Sequence, residues 1–208
     1  MSTHNKKLVL FDFDGVLANT VRYAYEIHLR NNPNLTWEHF QDFHTDNFLK
    51  GFYKAMEDEN LVLIDDFYGH YAKEIEKVRV EDIIKQAVKV LSEKYILIII
   101  SSTNTNTIFD FLKREGMDIY FDKILGHDVH MSKVHKIQMV FEEYKVEGTQ
   151  CVFVTDTLGD IREAARCGVP ALGVTWGVHL SSDLQKGNPV AIIDDPQMLV
   201  EAVQNVLK

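Results

Sequence analysis

Five short runs of β-favouring residues, LVLF, YILIII, CVFVT, ALGVT and VAII, recur along the chain, with helical periodicity between most of them. Each run is near-continuously apolar, with no polar alternation, as strands buried on both faces require. Such strands alternating with helices confine the chain to an α/β architecture: a Rossmann-like parallel sheet with helices on both faces. Residues 81–94 place Ile84, Ala87, Val88 and Leu91 at helical spacing and are expected to pack on the sheet. Residues 160–167 read as a short helix closed by Gly168, with Pro170 beyond it. Asp195 and Pro196 form a cap and first-turn pair for a last helix whose Leu199, Val203 and Leu207 share a stripe.

One connection exceeds what the sheet needs. About sixty residues separate Thr20 from Val80, where a parallel crossover requires only a dozen or more. Helical patterns at 21–30, 45–56 and 65–77 predict a small α-helical bundle inserted as residues 19–80, leaving 1–18 and 81–208 as the α/β core. The insert carries Tyr23, Tyr25, Trp37, Phe40, Phe43, Phe48, Phe52, Tyr53, Phe67, Tyr68 and Tyr71. Periodic apolar positions normally pack, so these rings are read as the bundle's own core, with individual rings free to face a substrate.

The formal charge of -9 argues against nucleic acid or an anionic membrane as partner, since polyanions need a basic field. A small anionic ligand stays open, because one local positive group can outweigh the average. Cys151 and Cys167 read as small buried thiols and not as a disulfide framework. The start MSTHNKK has no secretory cleavage pattern, its Lys6 and Lys7 read as solvated, and the apolar run at 95–100 is too short to span a bilayer. A cytoplasmic protein is expected.

Two runs end in carboxylates. In VLFDFDG, Asp12 and Asp14 are expected to project together while Phe13 points elsewhere, and Gly15 allows a sharp turn. In CVFVTDTLGD, Asp156 closes a strand and Asp160 opens the next helix. Ligands of open α/β sheets bind beyond the strands' carboxyl ends, so four carboxylates can converge there if the strands are neighbours. Crowded carboxylates repel, and oxygen-rich sites suit Mg²⁺. Taken singly, each aspartate is ordinary turn chemistry, and Asp160 alone reads as a helix cap.

FDFDGVLANT resembles the first motif of the haloacid dehalogenase-like superfamily, ILIIISST its second, Lys133 its lysine ahead of a helix, and VFVTDTLGDIREAARCGVP its fourth. The insert position is that of the helical-cap branch, which includes phosphoglycolate phosphatase-like members. The resemblance implies a phosphatase for a small phosphorylated metabolite, with residues 19–80 as a cap. Asp12 would be the nucleophile and Asp14 the general acid and base. Lys133 would be the positive charge beside the phosphate. Mg²⁺ would be held by Asp12, the Asp14 carbonyl and Asp156, with Asp160 acting directly or through water. Ser102 would hold a phosphate oxygen, with Ser101 as the competing choice, since one step along a strand end reverses side-chain direction. Thr155 departs from the family's glycine at that position and is expected to shift or narrow the metal site. Asp14 sets the chain apart from the carbon–halogen cleaving branch. A β-phosphoglucomutase-like phosphomutase would share every one of these residues, and a non-catalytic phospho-ligand-binding module is a third possibility. His127, His130 and His135 do not match a zinc-ligand spacing, and Trp176 reads as packing.

Overall fold

The computed structural model describes residues 6–59 and 61–208; residues 1–5 of the start read above lie outside the described residues. Six parallel strands, β1 (Leu8–Phe11), β2 (Ile96–Ile100), β3 (Lys123–Leu125), β4 (Cys151–Thr155), β5 (Ala171–Val174) and β6 (Ala191–Ile193), form one sheet in the order β3-β2-β1-β4-β5-β6. The expected runs supply five of them. Lys123–Leu125 is the sixth, an edge strand of three residues, too short to show as an apolar run.

Alternation along each central strand sends side chains to two separate cores. Val9, Phe11, Leu97, Ile99, Val152 and Val154 face one cluster. There they meet Val88 and Leu91 of α5 (Asp82–Ser92), Ile108 and Leu112 of α6 (Thr105–Glu115), and Leu199 and Val203 of α10 (Leu199–Val206). Leu8, Leu10, Ile98, Ile100, Cys151 and Phe153 face the other. Their partners are Ile137 and Val140 of α7 (Lys133–Tyr144), Ile161 and Ala164 of α8 (Leu158–Arg166) and Leu184 of the short α9 (Ser181–Leu184). Fully burying each such aliphatic side chain stabilises the fold by roughly 1.5–3 kcal/mol before entropy is counted. Asp195 accepts from Gln197 N at 2.9 Å and Pro196 opens a short turn leading into α10, as the cap pattern predicts.

Four helices fill the long connection: α1 (Val21–Asn31), α2 (Trp37–Asp42), α3 (Phe48–Glu59) and α4 (Phe67–Ile75). The six-residue α2 is too short to show helical periodicity, and Thr36 caps it by accepting from His39 N at 3.1 Å. Phe40, Phe43 and Phe52 make a third apolar cluster with Leu35 and Val178, while Ile27, Tyr71 and Ile75 join the cluster that flanks the sheet. Both cysteines are free, but only Cys151 is buried as expected, its thiol pushed by burial up to about 12; Cys167, at the end of its helix, is half-buried. Among the described residues, no helix is long and apolar enough to cross a membrane.

Candidate active site

The sheet reverses its order of growth at β1: the chain runs β1, β2, β3 towards one edge and returns to β1's other side with β4. A crevice opens at such a switch point beyond the strand ends. A cavity of about 360 Å³ lies there, lined by Asp12, Asp14, Ser102, Lys133, Asp156 and Asp160 among others.

Asp12 N makes the last sheet bond, to Val154 O at 2.9 Å, and its Oδ1 accepts from Phe13 N at 2.8 Å. β1 ends at Phe11, so the pleat does not direct Asp14 as expected. A tight turn does: Phe13 O accepts from Leu17 N at 3.0 Å and Ala18 N at 3.2 Å, with Gly15 at φ +71°. The turn sets Asp14 among three hydroxyls. Thr20 Oγ1 donates to its Oδ1 at 2.6 Å, Thr103 Oγ1 donates to its Oδ2 at 2.7 Å, and Tyr71 of α4 donates to Oδ1. Tyr71 and Thr103 do not stand out as donors in the sequence, because segments far apart bring them to Asp14, whereas Thr20 lies six residues beyond it.

Lys133 opens α7 behind Ser132, which caps the helix by accepting from His135 N. Its Nζ lies 2.9 Å from Asp12 Oδ2 and 2.6 Å from Asp160 Oδ2. The helix cap at α8 is Thr157, whose hydroxyl accepts from Asp160 N at 3.3 Å, so Asp160 is free of the capping role and α8 starts at Leu158, ahead of the expected residue 160. Thr155 donates to Asp160 Oδ2 at 2.7 Å. The threonine that replaces the family's glycine therefore braces the second aspartate of its own motif.

Asp156 is fully buried; its Oδ2 accepts from Val178 N at 2.7 Å, and its Oδ1 has no hydrogen-bond partner. Two glycines wrap this carboxylate, since a Cβ at Gly15 or at Gly177 would come within 2.1 Å of Oδ2. Ser101 and Ser102 divide as strand geometry requires. Ser101 is buried, with its Oγ accepting from Thr103 N at 3.0 Å, whereas Ser102 lines the cavity. Behind them, fully buried Lys136 donates to Ser101 O at 2.6 Å and Gly126 O at 3.3 Å, tying the β2 and β3 ends together. The sequence gives no sign of that second lysine's depth.

Electrostatics follow from the burial of Asp12, Asp156, Asp160 and Lys133. Burial pushes the Asp12 carboxyl well above its usual range against the pull of Lys133, with Asp160, Asp156 and Asp14 adding repulsion. Burial likewise pushes Asp156 up to about 7, opposed by the Val178 N–H. For Asp160 burial also acts upwards, but Lys133 and the Thr155 hydroxyl outweigh it and hold the group below the carboxylate norm. Lys133 itself is held above the usual lysine value, because Asp12 and Asp160 overcome its burial.

Among the described residues, no three acidic, His or Cys side chains form a ready-made metal cage. Mg²⁺ asks for less, being held by one or two carboxylates with waters and substrate phosphate. The partnerless Asp156 Oδ1 fits that demand, because a buried carboxylate oxygen without a protein donor is one that a hard cation can take. The other candidates have local roles. His130 Nδ1 accepts from Ser132 N and its ring stacks on His135 at 4.1 Å, while His127 stacks on Tyr68 at 5.3 Å and lines the cavity. Trp176 packs on the core and donates to Val16 O at 3.2 Å, and Lys7 donates to Leu207 O at 2.6 Å.

Residues 9–174 match the family model of the haloacid dehalogenase-like hydrolases, and the chain belongs to that family. By class it is a hydrolase. It is 20% identical to a phosphoglycolate phosphatase of Vibrio parahaemolyticus over 98% of each chain. It is 32% identical to the "Probable phosphatase IndB" of Dickeya dadantii over 47% of this chain and 44% of that one. Its fold is similar to a haloacid dehalogenase-like hydrolase of Streptococcus pneumoniae, with TM-score 0.77, 21% identity, and coverage of 95% of this chain and 98% of that one.

Proposed function

We propose that the protein is a Mg²⁺-dependent phosphatase that hydrolyses a small-molecule phosphomonoester through an aspartyl phosphate on Asp12. The observation that carries this reading is the pairing of Lys133 with Asp12 at 2.9 Å beside the partnerless Asp156 Oδ1. An anion approaching Asp12 then meets the fixed positive charge of Lys133, and Asp156 offers an oxygen to a cation.

A carboxylate oxygen of Asp12 attacks phosphorus and the ester oxygen departs, taking a proton from Asp14. Asp14 then removes a proton from water as that water attacks the acyl phosphate, which releases inorganic phosphate and restores Asp12. Thr20, Thr103 and Tyr71 fix the Asp14 carboxylate in one orientation during both transfers. Ser102 and Lys133 hold the phosphoryl oxygens, and Asp160 and Thr155 keep Lys133 in position. Asp12, the Asp14 carbonyl and Asp156 would hold Mg²⁺, with Asp160 acting directly or through water. The ion supplies charge neutralisation that lets one anion meet another. The helices of residues 19–80 act as a cap that covers the site and excludes bulk water. Free thiols at Cys151 and Cys167 suit a reducing, cytoplasmic setting.

The test is phosphate release by the purified protein from a panel of sugar phosphates, nucleotides and phosphoglycolate with Mg²⁺. Turnover that Asp12→Asn abolishes, with the phosphoenzyme trapped from the parent, supports the reading. No turnover across the panel, or equal rates for a folded Asp12→Asn variant, sinks it.

A further inference from the structure

The lining of the cavity has an unusual make-up for a phosphate ester site. Among its described lining residues Lys133 is the only lysine or arginine, and that cation is already engaged by Asp12 and Asp160. The other charges are acidic: Asp66 and Glu163 line the cavity in addition to the site aspartates, as does Asp46, which is paired with Arg166. A second anionic group on the substrate would be desolvated without a counter-ion among carboxylates.

Much of the remaining lining is aromatic. His28 of α1 lies 4.7 Å from Phe52, 4.9 Å from Phe67, 5.9 Å from Phe40 and 6.2 Å from Phe48, centroid to centroid. It lines the cavity at 5% exposure, and neither of its ring nitrogens has a hydrogen-bond partner. Burial pushes it down to about 4, so at neutral pH it offers one donor and one acceptor and no charge. An apolar core would fill this position with another hydrocarbon side chain. A buried imidazole without partners is costly, and a bound group that pairs with it relieves the cost.

We infer that the ester taken by this site has an uncharged leaving alcohol bearing a ring and a hydrogen-bonding group that His28 receives, and that a carboxylate or a second phosphate on the alcohol is excluded. The inference rests on the phosphatase reading for its reaction but not for its binding preference. The volume of about 360 Å³, near the lower end of the roughly 300–1,000 Å³ usual for ligand pockets, suits a phosphoryl group and a single ring.

Binding of three non-hydrolysable phosphonates in Mg²⁺, followed by calorimetry, tests this on the parent protein. Benzylphosphonate and phosphonoacetate differ only in carrying a phenyl ring or a carboxylate on the same methylene, and pyridin-3-ylmethylphosphonate adds one acceptor to the ring. Benzylphosphonate is expected to bind at least about ten-fold tighter than phosphonoacetate, and the pyridyl compound about five-fold tighter again. His28→Phe is expected to remove that last increment while retaining the first. Phosphonoacetate binding as tightly as benzylphosphonate, or no binding of any of the three, overturns the inference in the parent alone, whether or not the variant folds. A pyridyl increment that persists in folded His28→Phe overturns the role of His28. Benzyl phosphate and phosphoglycolate then report turnover: failure to hydrolyse either, with the binding order intact, counts against the phosphatase and leaves this preference standing.

Discussion

The Tyr71 hydroxyl donates a hydrogen bond to Asp14 Oδ1, joining helix α4 of the insert to the turn that follows β1. Burial, reinforced by the Asp14 charge, holds the Tyr71 phenol well above its usual pKa, so it remains a donor across the working range of pH. The contact couples the position of the insert to the orientation of the proposed acid and base.

Tyr71→Phe removes that donor with little change of shape. A hydrogen bond to a charged group contributes about 1.5–3 kcal/mol, so kcat is expected to fall about ten- to a hundred-fold with KM nearly constant. Steady-state kinetics on a hydrolysed ester, with circular dichroism of the variant, check it. A variant that matches the parent in kcat removes Tyr71 from the site.

Lys133→Ala leaves Asp12 and Asp160 buried without their counter-ion. Breaking a buried ion pair from one side costs about 3–5 kcal/mol, which a urea melt of the parent and variant at pH 7 would resolve. Activity is expected to fall at least about a hundred-fold, because the same ammonium faces the phosphoryl group in the proposed reaction.

Mg²⁺ is expected to raise the thermal midpoint of the protein. A single site filled at a hundred times its dissociation constant stabilises by about 2.7 kcal/mol, a shift of roughly 5–10 °C for a chain of this size. Gly177→Ala would drive a Cβ to within 2.1 Å of Asp156 Oδ2 and displace that carboxylate. Its melting temperature should respond to Mg²⁺ far less than the parent's, and so should that of Asp156→Asn. An equal response in both variants would remove Asp156 from the metal site.

His28 gives a pH test with a definite sign. Its folded pKa of about 4 lies below the 6.5 of an unfolded histidine, so between these values the unfolded chain binds more protons. Acid therefore costs stability as pH falls from about 6.5 towards 4, and the effect is on the order of 2 kcal/mol at pH 5. In His28→Phe this component is absent, so the difference in unfolding free energy between parent and variant should change by about that amount between pH 7.5 and pH 5. A difference independent of pH would place a charged or solvated His28 in the fold.

Much of the α/β frame was legible because strands and helices announce themselves by local rules. LVLF and CVFVT are apolar throughout, and the stripe Ile84, Ala87, Val88 and Leu91 is buried as its spacing requires. Lys123–Leu125 and Trp37–Asp42 were not legible, since three and six residues are too few for a period to appear. At the site, all six residues that the motifs single out line one cavity. The direction of Asp14 was read from strand pleating, although a turn sets it.

Periodicities of two and of 3.6 residues and short motifs are written in neighbouring positions, so residue order alone places the strands among the helices and brings these carboxylates, the serine and the lysine to the strand ends. Which partners complete them depends on how the elements pack in space. Tyr71 and Thr103 reach Asp14 from 57 and 89 residues away, Thr155 braces Asp160 where a glycine was expected, and His28 lies unpartnered among rings that could all have been core. Contacts of that kind arise when separate elements pack against one another, and no local pattern records which side chains will meet.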